Sequence, residues 1–247
     1  MIRIISLLLT CINFSEAACP PERHDRVAVV RRVYDGDTLT LTDNTRIRFI
    51  GINTPELGRN GKPDQAFAKQ ATDALLHLLA KSSNKVILQY GKQEKDRYKR
   101  HLAHVFLADG TNVSETLLKT GLAYRIAIPP NLWSQDCYKK AEFEARKLKL
   151  GLWGNTITQA EHLPLNSKGF HFVEGKVGRI GHSKKSVWIN FKGPLSIRIA
   201  RSDLDLFKQF NLDQLKNRHL RVRGWVHNYK GENIMRLRHS SMLEIMK

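Results

Sequence analysis

Three short segments carry side chains suited to attack on a phosphodiester: Asp35-Gly36-Asp37-Thr38, Arg48-Phe49-Ile50-Gly51-Ile52-Asn53-Thr54-Pro55-Glu56 and Asp96-Arg97-Tyr98-Lys99-Arg100. Asp35, Asp37, Asn53 and the main-chain carbonyl of Thr54 are hard oxygen donors of the kind that hold a divalent cation. Glu56 is a further carboxylate, able to handle a water molecule, and Arg48 and Arg100 are guanidinium forks that meet phosphate charge and stay protonated. Thr-Pro-Glu at a strand end lets a carbonyl point inward while the proline rigidifies the turn that carries Glu56. Each piece alone has a plain structural explanation: Asp-Gly-Asp as a turn, each arginine as the surface partner of an acid, Glu56 as a turn or helix-start residue. Their order and combination are what point to chemistry.

Elements able to position these groups follow from periodicity. Alternation from Arg26 to about Ile50 gives strands at 27–30, 39–41 and 46–50, with a hairpin turn at Asp43-Asn44. Residues 64–82 read as an amphipathic helix whose Phe67, Ala71, Leu75, Leu78 and Leu79 face a core. Strands follow at 85–88 and 102–107, which makes His101 and His104 strand residues rather than metal ligands. A short helix over 113–120 ends at Gly121, and a longer one over 134–148 stops at Gly151. Residues 157–168 lack sustained periodicity and are expected to be a linker between domains at 22–156 and 169–247. The second of these holds short strands with a helical interval at 202–216, the pattern of a small barrel of the oligonucleotide-binding (OB) type; another compact β domain is the alternative.

Charge narrows the partner. A formal net charge of +18 and a pI near 10.0 call for a polyanion, nucleic acid first and an acidic membrane surface second. From Lys168 onward 17 Lys and Arg oppose 6 Asp and Glu, so the second domain is the more basic part. Within it, alternation places Arg221, Arg223 and Trp225 on one strand face, either a platform for single-stranded nucleic acid or a solvated basic face with a half-buried ring. At the other end, Arg3, the apolar run Ile4 to Phe14 and Ser15-Glu16-Ala17-Ala18 read as an export signal over 1–18, cut after Ala17 or Ala18. That run is short for a membrane span, so no stable membrane insertion is expected and the destination is periplasmic or secreted. A lipid anchor on Cys19 is opposed by Glu16 at a position where an aliphatic residue is needed. Cys19 and Cys137 of the exported chain invite a disulfide, with two free thiols as the alternative.

Together with Leu117-Leu118-Lys119-Thr120-Gly121-Leu122-Ala123, Ala141-Glu142-Phe143-Glu144-Ala145-Arg146 and Gly151-Leu152-Trp153, the three segments resemble the staphylococcal nuclease (thermonuclease) family over residues 26–154. The resemblance implies an α+β, mainly β fold: a five-stranded OB-type barrel with packed helices, followed here by the second small barrel. It implies Ca²⁺-dependent hydrolysis of DNA and RNA by P–O5′ cleavage, leaving 3′-phosphate ends. By the same likeness Asp37 and the Thr54 carbonyl are ion ligands, Asp35 acts indirectly, Glu56 positions or deprotonates the water, and Arg48 and Arg100 clamp the phosphate. Arg97 and Tyr98 fall where the family contacts a terminal phosphate. Two positions depart from the family pattern: Asn53 replaces a second aspartate ligand, removing a negative charge, and Lys99 replaces a glycine, at a cost of about 1 kcal/mol if φ is positive. The expected function is an exported nuclease acting on DNA and RNA, single strands preferred, without a protein partner; the alternative is a nucleic-acid-binding protein that has kept the scaffold with weak or no turnover.

Overall fold

The structure is a computed structural model that describes residues 19–58 and 60–246. The export signal expected over 1–18 lies outside the described residues. Among the described residues, fourteen strands and three α-helices follow in the order β1 (Arg26–Asp35), β2 (Thr38–Leu41), β3 (Arg46–Phe49), β4 (Ile52–Asn53), α1 (Ala68–Lys81), β5 (Lys85–Lys95), β6 (His101–Phe106), α2 (Val113–Lys119), β7 (Tyr124–Arg125) and α3 (Gln135–Lys147), then β8 (Thr158–Gln159), β9 (Gly169–His182), β10 (Ser186–Phe191), β11 (Leu195–Ala200), β12 (His219–Tyr229), β13 (Glu232–Leu237) and β14 (Leu243–Ile245).

β1-β2-β3-β6-β5 close a five-stranded barrel in which only the β3–β6 pairing is parallel. The ring repeats in the second half of the chain as β9-β10-β11-β13-β12, closed by β12 against β9 and again parallel at its β11–β13 pairing. The mainly β fold class with two barrels is therefore the one expected.

The first core joins Leu39, Leu41, Ile47 and Phe49 from the strands to Leu75 and Leu79 of α1 and Leu117 and Leu118 of α2. In α1, Ala68, Ala71, Leu75 and Leu79 recur at helical spacing and all are buried, so truncating one leucine costs about 2–5 kcal/mol. This helix starts at Ala68 rather than at residue 64, because Asp64 and Gln65 turn their side chains to the preceding loop: Gly58 N donates to Asp64 Oδ1 at 2.7 Å and Glu56 N to Gln65 Oε1 at 2.9 Å. Cys19 and Cys137 form a disulfide that ties the start of the described chain to α3 across 118 residues. In the chain-entropy picture a loop of that length is worth about 4–5 kcal/mol.

Residues 157–168, expected as a linker, instead carry β8, which pairs in parallel with β9, and a 3₁₀ turn at Ala160–His162; Ala160 and Leu163 are buried in the second core. The interval 202–216 holds two 3₁₀ segments, Arg201–Phe207 and Leu212–Leu215, rather than one α-helix.

The barrels are docked. Ile126 and Ala127, which follow β7, belong to the second core, and a ring cluster joins Tyr124 and Trp153 to Phe170 and Phe172 of β9 at centroid separations of 5.3–5.9 Å. Beside it lies an ionic network. Arg223 of β12 donates to Glu142 of α3 and to Glu244 of β14, and Arg146 of α3 donates to both oxygens of Glu244 at 2.8 and 2.9 Å.

Candidate active site at one end of the first barrel

Strand register assembles the site. β2 pairs with β3 so that Thr38 faces Arg48, and β3 pairs with β6 so that Arg48 lies beside Leu102. Asp37 directly precedes β2, and Arg100 directly precedes β6, so one acid and two guanidiniums emerge at the same end. The acid turn can seat there because residue 36 is glycine: a Cβ on Gly36 would lie 2.8 Å from Ala71 Cβ and from Thr54 Cγ2.

Buried Asp37 forms an ion pair with Arg48 and accepts from Thr54 N at 2.8 Å and from the Thr38 hydroxyl at 3.1 Å. Arg48 also donates to Asn53 Oδ1 at 3.0 Å, and Asn53 Nδ2 donates to the Thr54 carbonyl at 3.3 Å. Asn53 is fixed by the pairing of β4 with β7 opposite Tyr124. The amide that departs from the family pattern thus braces the arginine as well as offering an oxygen.

Arg100 is held by Asp96, whose carboxylate accepts from Arg100 Nε at 2.7 Å, Arg100 N at 3.0 Å and Tyr98 N at 2.8 Å. Its Nη1 reaches the Thr38 hydroxyl at 3.4 Å, so that hydroxyl stands between Arg100 and Asp37. Lys99 in the same turn has φ 62°, the left-handed conformation that favours glycine.

Asp35 is pushed up to about 7 by burial and by the charges of Asp37 and Glu56, with Arg48 acting against them. Glu56 itself is exposed on the loop after β4, where its amide donates to Gln65 Oε1. Carboxylate, amide and main-chain oxygens around a concentration of negative charge are a donor set that fits a hard divalent cation. The tightest grouping of His, Cys, Asp and Glu donors among the described residues is elsewhere, at Cys19, Glu115 and Cys137 within 4.8 Å, and its two sulfurs are already joined to each other.

A cavity of about 340 Å³ opens from Arg48 and Arg100. Arg97 and Tyr98 line it too; Arg97 donates to the Tyr98 hydroxyl at 2.6 Å, and the guanidiniums of Arg97 and Arg100 lie 4.7 and 5.5 Å from the ring centre. Tyr98 is 59% exposed and ready for a partner. The far wall comes from the second barrel and includes Trp225.

The expected platform of Arg221, Arg223 and Trp225 does not stand as a unit. Alternation does put all three on one side of β12, but at the first two positions that side is taken up by Glu174 and Glu244 of the neighbouring strands and by Glu142 of α3. Arg223 is 1% exposed and bound to Glu142 and Glu244, while Arg221 is bound to Glu174. Only Trp225, 41% exposed, faces the cavity. Sequence reasoning missed Asp96, the residue that orients Arg100, although aspartate opening a tight turn is a readable signal. It also missed Arg238, which lines the cavity just past the end of β13 and shares a face with Arg236 by alternation.

Comparison with known proteins gives the same frame. The family model described as Staphylococcal nuclease homologue matches residues 46–155. The thermonuclease of Staphylococcus hyicus is 34% identical over 164 residues, covering 63% of this chain and 95% of that protein. The chain belongs to the staphylococcal nuclease family. Another member, the thermonuclease of Staphylococcus intermedius, is 36% identical over 129 residues, covering 51% of this chain and 74% of its own. The SPbeta prophage-derived endonuclease YokF of Bacillus subtilis (strain 168) is 38% identical over 128 residues, 49% of this chain and 42% of that one. The candidate site residues of this staphylococcal nuclease family member from Arg48 to Arg100 fall inside the matched region, and Asp35 and Asp37 lie just before it.

Proposed function

We propose that the protein is an exported, Ca²⁺-dependent nuclease that hydrolyses phosphodiester bonds of DNA and RNA at the end of the first barrel. The observation that carries this reading is the convergence of Asp37, Arg48 and Arg100. Names borne by relatives, thermonuclease and endonuclease, support it.

Asp37, the Thr54 carbonyl and Asn53 would hold the ion, with Asp35 behind them; when bound, it supplies Lewis-acid polarisation of a phosphate oxygen. Glu56 takes a proton from water as the water oxygen bonds to phosphorus. Arg100, at the Thr38 hydroxyl, and Arg48, paired with the Asp37 to which that hydroxyl donates, neutralise the charge that builds on the phosphoryl oxygens. The P–O5′ bond breaks, the leaving oxygen is protonated to a 5′-hydroxyl, and a 3′-phosphate remains. Burial of Asp37 and Arg48 keeps these interactions away from bulk screening. Export is supported by the Cys19–Cys137 disulfide, which needs an oxidising compartment, and by the apolar leader pattern. Among the described residues no helix is long and apolar enough to cross a membrane.

The test is digestion of single-stranded DNA and of RNA with Ca²⁺ and then with EDTA, followed by analysis of product ends. Ca²⁺-dependent cleavage to 3′-phosphates is expected. Failure to cleave with any divalent cation overturns the enzyme reading in favour of a binding protein, the reading favoured by the engagement of neutral Asn53 with Arg48.

A further inference from the structure

The cavity beside Arg48 and Arg100 is closed on its far side by a barrel that the matched family region, residues 46–155, does not include. Two side chains of that barrel line it in a form suited to a ligand. The Trp225 indole is held edge-on against Phe170, with ring centres 5.2 Å apart and an interplanar angle of 74°, and is otherwise 41% exposed. Such a ring has its orientation fixed by one neighbour while retaining surface for another.

Arg238 is half-buried beside it, just past the end of β13. Its Nε is buried without a hydrogen-bond partner, and among the described residues its side chain forms no ion pair. Arg221, Arg223 and Arg236 of the same barrel are neutralised by carboxylates, and among that barrel's described arginines Arg238 is the one with a buried side-chain nitrogen left without a partner. A guanidinium left unpaired at a cavity wall is poised for an anion.

We infer that Trp225 and Arg238 form a nucleotide subsite next to the scissile phosphate, the ring stacking a base and the guanidinium taking the adjoining phosphate of a single-stranded oligonucleotide. The inference rests on the nuclease reading for its reaction, and makes the working cleft a product of both barrels. A cavity of about 340 Å³ is at the small end for ligand sites, which suits one nucleotide unit rather than a duplex. Stacking works with any base, so the subsite confers preference for unpaired strands and for length without sequence specificity. Docking of the barrels by the Arg223 network keeps the two walls at a fixed separation.

The experiment compares wild type with Trp225→Ala, Trp225→Phe and Arg238→Gln on a hexathymidylate and on a thymidine dinucleotide, each at several salt concentrations. The ratio of kcat/KM for the hexamer to that for the dinucleotide is expected to fall about tenfold in Trp225→Ala and Arg238→Gln, carried mainly by KM, and to stay near wild type in Trp225→Phe. Arg238→Gln should also flatten the logarithmic salt dependence of hexamer binding by about one phosphate contact. Unchanged ratios, or losses of equal size on both substrates, overturn the inference. A second readout avoids catalysis: in EDTA the hexamer should quench tryptophan fluorescence of wild type, and the quench should vanish in Trp225→Phe. If wild type cleaves nothing but this quench is present, the nuclease reading fails and the subsite stands; cleavage without a Trp225-dependent quench gives the reverse.

Discussion

Replacing Arg223 by methionine should undock the barrels. Arg223 is 1% exposed and its guanidinium donates to Glu142 and Glu244. Glu244 would keep its two hydrogen bonds from Arg146 and has some access to water. Glu142 would not: it is buried, its remaining close donor is the Arg125 amide at 2.8 Å, and Arg146 Nη1 is 3.9 Å away. Removing one partner of a buried pair costs about 3–5 kcal/mol, mostly the desolvated charge left behind. Against a typical domain stability of about 5–15 kcal/mol this is a large fraction. The assay is urea denaturation at neutral pH followed by tryptophan fluorescence, with Arg223→Met/Glu142→Leu alongside; the double variant should recover most of the loss because the unpaired buried carboxylate is gone while buried Arg125 keeps its hydrogen bonds to Gln135 and Ser241. A single-variant loss below about 1 kcal/mol, or a double variant no more stable than the single, refutes the reasoning. The pH dependence supplies a third arm. Burial pushes the Glu244 carboxyl up, but the hydrogen bonds from Arg146 and the charges of Arg223, Arg146 and Arg221 outweigh it and hold the group at about 2. Folding therefore lowers its proton affinity, so its contribution is complete above the usual 4.5 and is lost as the pH falls towards 2. That acid-linked loss should shrink in Arg223→Met.

Three further outcomes are expected. Glu56→Gln should lower kcat by about 10²–10⁴-fold while filter binding of DNA in EDTA is retained; a near-normal rate rejects Glu56 as the group that handles water. Asn53→Asp should tighten Ca²⁺ binding in calorimetry by about 30-fold, since one more carboxylate charge about 4 Å from a divalent ion is worth about 2 kcal/mol at water-like screening; unchanged affinity would mean that residue 53 serves only to brace Arg48. Lys99→Gly should raise stability by up to about 1 kcal/mol by relieving the left-handed conformation at φ 62°, and a lower midpoint in urea would refute that account.

Period-two alternation made the barrel strands legible in the sequence, because each inward residue at 39, 41, 47 and 49 reaches a core that tolerates nothing polar. The start of α1 was not legible, since Asp64 and Gln65 suit a helix start by type yet bind the backbone of the Glu56 loop. Residues 157–168 looked like a linker because an added edge strand of two residues has no period to detect. Arg223 shows the same limit from the other side. Alternation tells which face a side chain takes, but what covers that face depends on contacts such as Glu142, 81 residues away in sequence. The acid turn and both arginines were readable because their segments are short and local; Arg238 was not, because only the docking of two barrels brings it near Arg48.

The repeated barrel topology shows how little of the chemistry belongs to the fold. In the first barrel the leading residue of β2, Thr38, faces Arg48, and Asp37 precedes it. In the second, the leading residue of β10, Ser186, faces Ala200, and Lys185 precedes it. The strand that pairs in parallel carries Arg100 two positions before the neighbour of Arg48; counting the β11–β13 register on by one residue from Ile199 opposite Leu237, the corresponding place holds Arg236, already bound to Asp203. Where the first barrel has an acid the second has a lysine, and where the first has the proposed phosphate clamp the second has an alanine, so the second barrel lacks the side chains of the proposed cation seat. The second barrel reaches the cavity beside Arg48 and Arg100 through side chains at its docked edge, Trp225 and Arg238. Deleting the second barrel would also strip the cover from Ile126, Ala127 and Glu142, so point substitutions at residues 225 and 238 separate strand binding from stability where truncation cannot.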